Sequence, residues 1–555
     1  MPHVITQPCC SDGSCVYACP VNCIHPSPDE PEFASAEMLY IDPVACVDCG
    51  ACVSACPVGA IRHDSRLSPE QLPFIAINAD HYPARPAGVK LPPTSKLAPV
   101  IPAPRIRGRG LTVAIVGSGP AGMYAADELL TQGGVRVNMF DKLPTPYGLV
   151  RAGVAPDHQS TKSVTALFDR IGSTRRFTYH LNVEVGKHLS HADLLDHHHA
   201  VIYAVGASGD RRLEIDGMGL PGTGSATEAV AWINGHPDFA TLGLDLRHPR
   251  AVVIGNGNVA LDVARTLTAD PAKLAATDIS DLALQDLRSS AVREVVVAAR
   301  RRPADSAFTL PELIGLVGTA DVVLDAADHA LVQADLQTVR DPGTRKKLEI
   351  LAGLPDAATA SAGRRIRLSY GLTPHKIIGT DRAEAVEFLR AGSAHTIDAG
   401  LILTSIGYRG APVADLPFDA AAAVVPNDAG RVVDPTTGAP VTGAYVAGWI
   451  KRGPTGFIGT NKSCAMQTVA ALVDDFNEGL LSGPSARPSA LAKLVRERQP
   501  DVVDGDGWRA IDAAEIARGE AQGRPRVKFT STEEMLAAAR RRPARSRRFP
   551  LSFAR

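Results

Sequence analysis

Residues 111–122 read LTVAIVGSGPAG, and this stretch decides the fold of the central part of the chain. Its first six residues form an almost unbroken apolar run rich in β-branched side chains, which predicts a buried strand. The glycines of GSGPAG follow at once, and the next residues predict a helix over about 121–132. Such a turn lets backbone N–H groups approach a pyrophosphate at the N-terminus of the helix.

The next segment completes a dinucleotide-binding pattern. Residues 136–140 predict a second strand, and the strand ends in Asp141, an acid placed to accept a hydrogen bond from a ribose hydroxyl. A glycine motif alone is a weak sign, so the prediction rests on the whole order of strand, turn, helix, strand and terminal acid. The predicted contacts of this first nucleotide site are Gly117, Gly119, Pro120, Ala121, Gly122 and Asp141.

A second fingerprint of the same kind occupies residues 251–265, where a short apolar strand leads into Gly255-Asn-Gly257 and a helix. The strand that follows, at 294–299, ends in three arginines, 300–302, and not in an acid. Arginines at this place suit a 2′-phosphate, which an acid would repel. An arginine triplet on its own is commonly a solvated surface, but its position directly after the strand favours a site for NADP.

Nine of the ten cysteines lie in the first 56 residues, and the tenth is Cys464. Residues 46–57 spell C-x2-C-x2-C-x3-C-P, an iron–sulfur spacing whose fourth cysteine serves a second cluster. Residues 9–20 repeat the frame with Asp12 at the second position. Crosswise pairing predicts a four-thiolate site and a three-thiolate site. The former comprises Cys19, Cys46, Cys49 and Cys52, and the latter comprises Cys9, Cys15 and Cys56.

Four thiolates suit a 4Fe-4S cluster, and three suit a 3Fe-4S cluster. Asp12 is a possible weak ligand for a fourth, labile iron, because a carboxylate is harder than a thiolate. Cys10 is an alternative to Cys9, and Cys23 fits neither set and is expected to be buried and free. Tetrahedral zinc at residues 46–56 is the competing interpretation, but the doubled frame favours iron–sulfur clusters.

Composition excludes several classes of protein. The 58 basic and 59 acidic residues give a net charge of -1, so no overall field attracts nucleic acid or a membrane. No apolar run approaches the roughly 18 residues of a spanning helix, and the N-terminus lacks the pattern of a signal peptide. We expect a cytoplasmic monomer. The arginine-rich end, 540–555, is expected to be a disordered tail, and His197–His199 are expected to form a loop and not a metal site.

Two resemblances extend these predictions. Residues 1–65 resemble the seven-iron bacterial ferredoxins, through CPVNCIHP and CVDCGACVSACPVGAI. Residues 107–540 resemble the adrenodoxin-reductase type of ferredoxin–NADP reductase. The motifs that carry this second resemblance are KLPTPYGLVRAGVAPDHQSTKSV (142–164), GNGNVALDVAR (255–265), AFTLPEL (307–313), GWIKRGPTGFIGTNKS (448–463) and GWRAIDAAE (507–515).

The resemblance implies roles for individual residues. Besides the first glycine turn and Asp141, the implied FAD contacts are Leu149, Trp449, Gly456, Phe457 and Ile458. The implied NADP contacts are Asn256, Asn258 and Val259 at the pyrophosphate, Arg300 and Arg301 at the 2′-phosphate, and Glu312 and Gly456 at the nicotinamide half. His158 matches a histidine near the flavin, as a catalytic candidate or as a structural residue. Position 315, often an acid in this family, is glycine here, which makes a His–Glu proton pair doubtful.

The predicted fold is α/β, with an N-terminal α+β ferredoxin domain followed by two nested Rossmann-like domains for FAD and NADP. The predicted boundaries are 1–66 for the ferredoxin, 67–106 for a proline-rich linker, 107–212 and 398–483 for the FAD domain, 213–397 for the NADP domain, and 484–555 for a C-terminal extension.

The expected activity is transfer of electrons between NADPH, FAD and iron–sulfur clusters. NADPH releases two electrons as a hydride and a cluster accepts one at a time, so a flavin belongs between them. An external ferredoxin or a monooxygenase would be the electron partner. The alternatives are an electron-input subunit of a larger enzyme such as glutamate synthase, and a passive electron carrier.

Overall fold

The computed structural model describes residues 2–82, 97–100, 102–108, 110–359 and 363–541. Within these ranges the chain forms an N-terminal unit and two α/β units, each with an apolar core. The predicted fold class is therefore confirmed. Most of the predicted basic tail and the centre of the proline-rich stretch lie outside the described residues. No helix of the described ranges is long and apolar enough to cross a membrane.

The internal repeat of the N-terminal sequence is also a repeat of structure. Helices Ser14–Ala18 and Ala51–Ala55 each follow a left-handed glycine and each end at a cysteine of the repeated frame. Around them, the strands pair antiparallel, which joins the two halves of the unit. The pairs are His3–Ile5 with Ile61–His63 and Ile24–His25 with Tyr40–Ile41, and 3-10 turns lie at Pro31–Ala34, Asp64–Arg66 and Pro69–Gln71.

The predicted linker begins too early, because helix Pro73–Asp80 is part of the N-terminal unit. Phe74 is buried, and the Asn78 side chain accepts hydrogen bonds from the N–H groups of Ile5 (3.2 Å) and Ile41 (2.9 Å). This unit therefore continues to residue 82. Proline at the first position of a helix is favourable, so the proline content of this stretch does not exclude a helix.

The first α/β unit is built on a twisted sheet that holds the first glycine turn at its centre. Its parallel strands, in spatial order, are Pro440–Val446, Ala200–Tyr203, Thr112–Val116, Arg136–Asp141 and Phe177–Leu181, with Asn427–Asp428 and Arg431–Val433 at the antiparallel edge. Its helices include Pro120–Thr131, Leu149–Ala152, Gln159–Lys162, Thr165–Gly172, His191–His197, Trp449–Arg452 and Thr460–Asn477.

The C-terminal extension packs into the core of this first unit. Leu181 and Val503 exchange backbone hydrogen bonds of 2.9 Å, and Trp508 and Met535 are buried in the same apolar cluster as the sheet. The helices of this extension are Ala490–Arg498, Gly505–Glu520 and Thr532–Arg540. The described part of the extension is thus a structural component and not an appended tail.

The second α/β unit carries the second glycine turn on a parallel sheet. Its strands, in spatial order, are Thr223–Ser225, Leu401–Thr404, Arg250–Ile254, Glu294–Ala298, Arg365–Ser369 and Val322–Leu324. A separate antiparallel sheet comprises Thr373–Ile378, Ala385–Arg390 and Ser393–Asp398. The helices are Ala226–Ile233, Asn258–Thr268, Pro271–Leu274, Asp281–Arg288, Leu310–Thr319, Ala326–Thr338 and Pro342–Ala352, with a 3-10 turn at Pro303–Asp305.

The chain crosses between the two α/β units at a small antiparallel pair, Gly209–Asp210 with Tyr408–Arg409. The predicted return to the first unit at residue 398 is therefore a few residues too early. The physical reason is that Leu401–Thr404 pairs with Arg250–Ile254 and belongs to the second sheet.

Candidate functional site

The first glycine turn has two positions that only glycine fits. Gly117 has φ +100°, and a Cβ there would lie 2.4 Å from the Ala204 carbonyl oxygen. A Cβ on Gly122 would lie 2.0 Å from the Gly117 carbonyl oxygen. Gly119, in contrast, faces open space, with nothing within 4 Å of a Cβ. The turn is therefore closed toward the sheet and open where a pyrophosphate would approach.

Asp141 holds this turn from the end of the neighbouring strand. Its Oδ2 accepts hydrogen bonds from the Ser118 N–H at 2.8 Å and the Ser118 hydroxyl at 2.5 Å, and its Oδ1 accepts from the Leu143 N–H at 2.9 Å. The acid thus lies against the first glycine turn. Its contact with a ribose remains a prediction.

Both sequence motifs assigned to FAD meet at this turn. Gly148, which precedes Leu149, would place a Cβ 3.2 Å from the Gly119 Cα. Gly448, which precedes Trp449, has φ +77° and would place a Cβ 2.6 Å from the Ala121 Cβ. Distant parts of the chain therefore surround one open turn.

The motif that contains Gly456, Phe457 and Ile458 is held by its own hydrogen bonds. The indole N–H of Trp449 donates to the Thr455 carbonyl at 3.1 Å, and the Phe457 N–H donates to the Thr460 hydroxyl at 2.9 Å. Ile458 packs against the core of the first unit. Cys464 is buried, and its sulfur accepts from the Gly448 N–H at 3.3 Å. Its role is local packing.

The second glycine turn repeats this geometry in the second unit. Gly255 has φ +119°, and a Cβ would lie 2.1 Å from the Ser405 carbonyl oxygen, whereas a Cβ on Gly257 would meet nothing within 4 Å. Asn258 accepts from the Thr309 N–H at 2.9 Å, and Asn256 accepts from the Ala307 N–H at 3.5 Å. These amides tie the segment before Glu312 to the turn, and Val259 follows in the first turn of the helix.

The three arginines after strand Glu294–Ala298 have different environments. Arg302 donates from Nε to Asp335 at 2.7 Å and is committed to that contact. The side chain of Arg301 is 62% exposed, and its Nη1 lies 3.9 Å from Asp305 Oδ1. Arg300 is exposed as well. Arg300 and Arg301 therefore remain the candidates for contact with a 2′-phosphate, and this role stays a prediction.

A polar cluster joins the two α/β units beside both turns. Arg265 is buried and donates to Asp157 at 2.7 Å and to Asp262 at 2.6 Å. Its Nη2 also lies 2.9 Å from His158 Nε2, and its Nη1 lies 3.4 Å from Glu312. Burial raises the pKa of the Glu312 carboxyl, and repulsion from Asp262 adds to this effect.

The structure brings an acid close to His158 although position 315 is glycine. His158 Nε2 lies 3.6 Å from Glu312 Oε1, so the acid of the AFTLPEL motif itself approaches the histidine. A Cβ on Gly315 would lie 2.4 Å from the Gln7 side-chain nitrogen, and that nitrogen lies 3.4 Å from Glu312 Oε2. The N-terminal unit therefore fills the space beside Gly315.

The cysteines assigned to the four-thiolate site line one small cavity. Cys23 also lines this cavity, and its sulfur lies 3.4 Å from the Cys19 sulfur. Cys23 is buried, as expected, but it lies against the predicted ligands and not apart from them. Cys49 is exposed, so this site lies next to solvent. The assigned cysteines of the cavity are Cys19, Cys46, Cys49 and Cys52.

The residues assigned to the three-thiolate site are also gathered together. Cys15 is buried in the apolar cluster of the N-terminal unit, and Cys9 and Cys56 pack against that cluster. Cys9, Cys10 and Cys56 all contribute to the apolar core of the first α/β unit, but of Cys9 and Cys10 it is Cys9 that also packs against the cluster of Cys15. This arrangement favours Cys9 over Cys10 as the ligand.

Soft thiolates in two sets are the donors that iron–sulfur clusters require. The two glycine turns, each with an open side at a helix N-terminus, likewise suit the pyrophosphates of FAD and NADP. The residues present thus fit all of these groups. Together they define a pyridine-nucleotide oxidoreductase with two dinucleotide sites and an iron–sulfur unit.

Comparisons with known proteins agree with this class. Residues 111–309 match the pyridine nucleotide-disulphide oxidoreductase family, and residues 39–62 match the 4Fe-4S binding domain. The probable ferredoxin/ferredoxin–NADP reductase of Mycobacterium leprae is 70% identical over 543 residues, covering 97% of this chain and 98% of that protein. The chain therefore belongs to the ferredoxin/ferredoxin–NADP reductase family.

Shorter relatives match the two α/β units. The NADPH-ferredoxin reductase FprA of Mycobacterium tuberculosis is 41% identical over 453 residues, covering 76% of this chain and 98% of FprA. The solved structure of FprA in complex with NADPH has a TM-score of 0.72 and 40% identity, and the match covers 78% of this chain and all of that one.

Several site residues were not singled out from the sequence. Asp157, Asp262 and Arg265 lie inside quoted motifs, but only the fold shows that they form one cluster across the two units. Gln7 of the N-terminal unit contacts Glu312 of the second α/β unit. Lys462 of the first α/β unit contacts Ser14 of the N-terminal unit. The spacing of Asp262 and Arg265, three residues apart on one helix, was an available signal.

Proposed function

We propose that this protein is a ferredoxin–NADP(+) reductase that catalyses NADPH + 2 oxidised ferredoxin = NADP+ + H+ + 2 reduced ferredoxin. The observation that carries the proposal is a contact between the loop at residues 9–15, the cysteine loop, and the predicted flavin motif at 448–463. The Gly459 N–H donates to the Cys10 carbonyl at 2.8 Å. The segment that contains the predicted ligands Cys9 and Cys15 therefore touches the segment that contains the residues assigned to the flavin, 456–458.

The first turn, Asp141, Leu149 and the 449–458 segment would hold FAD. When bound, FAD supplies a group that accepts two electrons together and releases them singly. The task of the protein is then alignment. The cradle is rigid, because Gly117 and Gly448 each lie against backbone or side-chain atoms that leave no room for a Cβ.

The second turn, Asn256, Asn258 and Val259 would hold the pyrophosphate of NADP, with Arg300 and Arg301 at the 2′-phosphate. Guanidinium groups suit a phosphate through bidentate hydrogen bonds. Glu312 would lie at the nicotinamide half. The tie between Asn258 and Thr309 positions this acid, because Thr309 caps the helix that begins at Leu310.

The polar cluster orients the His158 ring. Arg265 can only donate, so a hydrogen bond between Arg265 Nη2 and His158 Nε2 requires Nε2 as the acceptor and places the ring proton on Nδ1. Nδ1 faces Asp262 at 4.0 Å. His158 is thereby oriented between the two nucleotide sites, and we assign it the positioning of the nicotinamide half and not a nucleophilic step.

In the N-terminal unit, Cys19, Cys46, Cys49 and Cys52 would hold a 4Fe-4S cluster, and Cys9, Cys15 and Cys56 would hold a 3Fe-4S cluster. The first of these sites faces solvent at Cys49, with Val47 exposed beside it. This face is where an external ferredoxin or a monooxygenase would receive electrons. We propose that the protein acts as a monomer.

A ferredoxin–NADP reductase turns over as an isolated chain, whereas an electron-input subunit, the rival function, would need its large partner subunit. The test is anaerobic NADPH oxidation by the purified chain with an added bacterial ferredoxin as acceptor. Turnover with NADPH, and much slower turnover with NADH, supports the proposal. Turnover that requires a large additional subunit would favour the rival. The comparisons above favour the reductase, since relatives matched over nearly the whole chain carry that name.

A further inference from the structure

Asp12 occupies the second ligand position of the repeated cysteine frame, but its carboxylate is engaged elsewhere. It accepts hydrogen bonds from the Ser14 N–H at 3.3 Å and from the Ser14 hydroxyl. The Lys462 ammonium lies 3.7 Å from Asp12 Oδ2 and donates to the Ser14 hydroxyl at 2.8 Å. The Asp12 side chain is only 6% exposed. A carboxylate with these partners is held away from the role of an iron ligand.

Lys462 belongs to the first α/β unit, in the first turn of helix Thr460–Asn477. It also faces the nucleotide-binding helix Pro120–Thr131. Burial raises the pKa of the Asp127 carboxyl on that helix, and the Lys462 ammonium counteracts this effect. Lys462 is thus a cation between the acids of its own unit and the acid of the cysteine loop.

The backbone beside this pair is tightly packed. A Cβ on Gly459 would lie 2.3 Å from both the Asp12 nitrogen and the Cys10 carbonyl oxygen. Because the cysteine loop and the 456–461 segment touch through backbone atoms, small displacements of Asp12 move the whole loop relative to the flavin motif. The N-terminal unit also contacts the first unit at Pro57, whose carbonyl accepts from the Ser163 hydroxyl at 3.1 Å, and the second unit at Glu37, which lies 2.5 Å from Lys347.

We propose that Lys462 and Asp12 form an electrostatic lock that seats the three-thiolate site on the flavin motif. Lys462 is a positioning residue, and Asp12 serves docking in place of iron ligation. The three-thiolate site then lies between the flavin motif and the solvent-facing four-thiolate site. The inference rests on the proposed function for its purpose, but the lock itself is measurable without turnover.

Hydrogen exchange of the holoprotein tests the lock directly. The Gly459 amide is protected by its bond to Cys10, so its exchange, followed in peptides spanning 457–461, reports how often the loop lifts off. Lys462→Gln removes a charged hydrogen-bond donor and is expected to raise this exchange about tenfold. Lys462→Arg retains the charge and is expected to restore most of the protection.

Two further variants separate docking from other effects. Asp12→Asn is expected to raise Gly459 exchange like Lys462→Gln, and the double variant is expected to add little, because both remove one interaction. Lys346→Gln is the matched control, since its contact with Asp80 of the N-terminal unit is exposed and 4.0 Å long. Protection of strand Thr112–Val116 verifies that each variant is folded.

Unchanged Gly459 exchange in a folded Lys462→Gln variant would overturn the lock. So would a change in the absorbance and EPR spectrum of the untreated Asp12→Asn protein with no change in exchange, because Asp12 would then be an iron ligand. Failure of the proposed function looks different. In that case NADPH would leave the flavin absorbance unchanged, whatever the exchange at Gly459.

Discussion

His158 Nε2 lies 2.9 Å from Nη2 of Arg265, a contact that joins the first α/β unit to the second. Because the guanidinium has only donors, a hydrogen bond at this contact requires Nε2 of the imidazole as its acceptor. It also ties the predicted flavin side of the site to the helix that carries the second glycine turn. The geometry of the two nucleotide sites relative to each other therefore depends on a buried arginine.

Arg265→Gln is expected to destabilise the protein. Arg265 is buried and neutralises Asp157, Asp262 and Glu312, and leaving such acids without their cation costs roughly 3–5 kcal/mol. Urea unfolding followed by intrinsic fluorescence measures the loss. The control is Arg247→Gln, whose 80% exposed side chain pairs with Asp245 and whose removal is expected to cost less than about 1 kcal/mol. Equal effects of both variants would contradict the account.

The arginine triplet predicts coenzyme preference. Replacing Arg300 and Arg301 together by alanine is expected to weaken NADPH binding at least about a hundredfold, because each charged hydrogen bond contributes roughly 1.5–3 kcal/mol. NADH binding is expected to change little, since NADH has no 2′-phosphate. Arg302→Ala is the control, because Arg302 is committed to Asp335. Binding titrations measure all three. A loss of NADPH affinity in Arg302→Ala as large as in the double variant would refute the assignment.

The two glycines of the second turn are expected to respond oppositely to alanine. Gly255→Ala places a Cβ 2.1 Å from the Ser405 carbonyl at φ +119°, so the variant is expected to unfold or misfold the second unit. Gly257→Ala meets nothing within 4 Å and is expected to change stability by less than about 0.5 kcal/mol while weakening NADPH binding. Thermal melting combined with NADPH titration checks both. Unimpaired binding in Gly257→Ala would argue against a pyrophosphate there.

Asp278 links the units through a buried cluster and predicts a pH effect. It lies 2.8 Å from both Lys162 Nζ and Lys528 Nζ. Burial opposes ionisation of Asp278, but Lys528 and Lys162 outweigh it and lower its pKa. Its contribution to stability is thus present above the unfolded-state pKa of about 4 and is lost as the pH falls through the lower folded-state pKa.

Asp278→Asn is therefore expected to lower the unfolding free energy at pH 7 by roughly 3–5 kcal/mol. The difference from the parent protein is expected to shrink below about pH 4, where the carboxylate of the unfolded chain takes up its proton. Urea unfolding at several pH values measures this difference. Asp506→Asn, at an exposed ion pair with Arg509, is the control. A difference that does not depend on pH would contradict the predicted ionisation.

The local elements were predictable because their patterns are strong and short-range. The strand predicted at 111–116 is Thr112–Val116, and the helix predicted at 121–132 is Pro120–Thr131. Glycine, strand and terminal acid are adjacent in sequence, so no long-range information is needed. The helix Pro73–Asp80 was missed because proline density indicated a linker, whereas burial of Phe74 and Ile77 decides the conformation.

The contacts between units were not predictable from one sequence. Asp12 and Lys462 are 450 residues apart, and neither the cysteine frame around Asp12 nor the motif around Lys462 indicates that the two side chains are in contact. His158, Arg265 and Glu312 come from three separate motifs, and only the packing of the two α/β units brings them together. Sequence spacing predicts which residue types a local turn or cluster needs, whereas the interface between units is determined by the tertiary fold.

The most direct test of the account is an anaerobic titration of the holoprotein with NADPH, followed by absorbance and low-temperature EPR. We predict that NADPH bleaches the flavin absorbance and that the EPR signal of the oxidised 3Fe-4S cluster then disappears, with no added carrier. If NADPH reduces the flavin while the clusters stay oxidised, internal transfer from the flavin site to the cysteine sites is contradicted. If NADH reduces the flavin and NADPH does not, the assignment of Arg300 and Arg301 is contradicted as well.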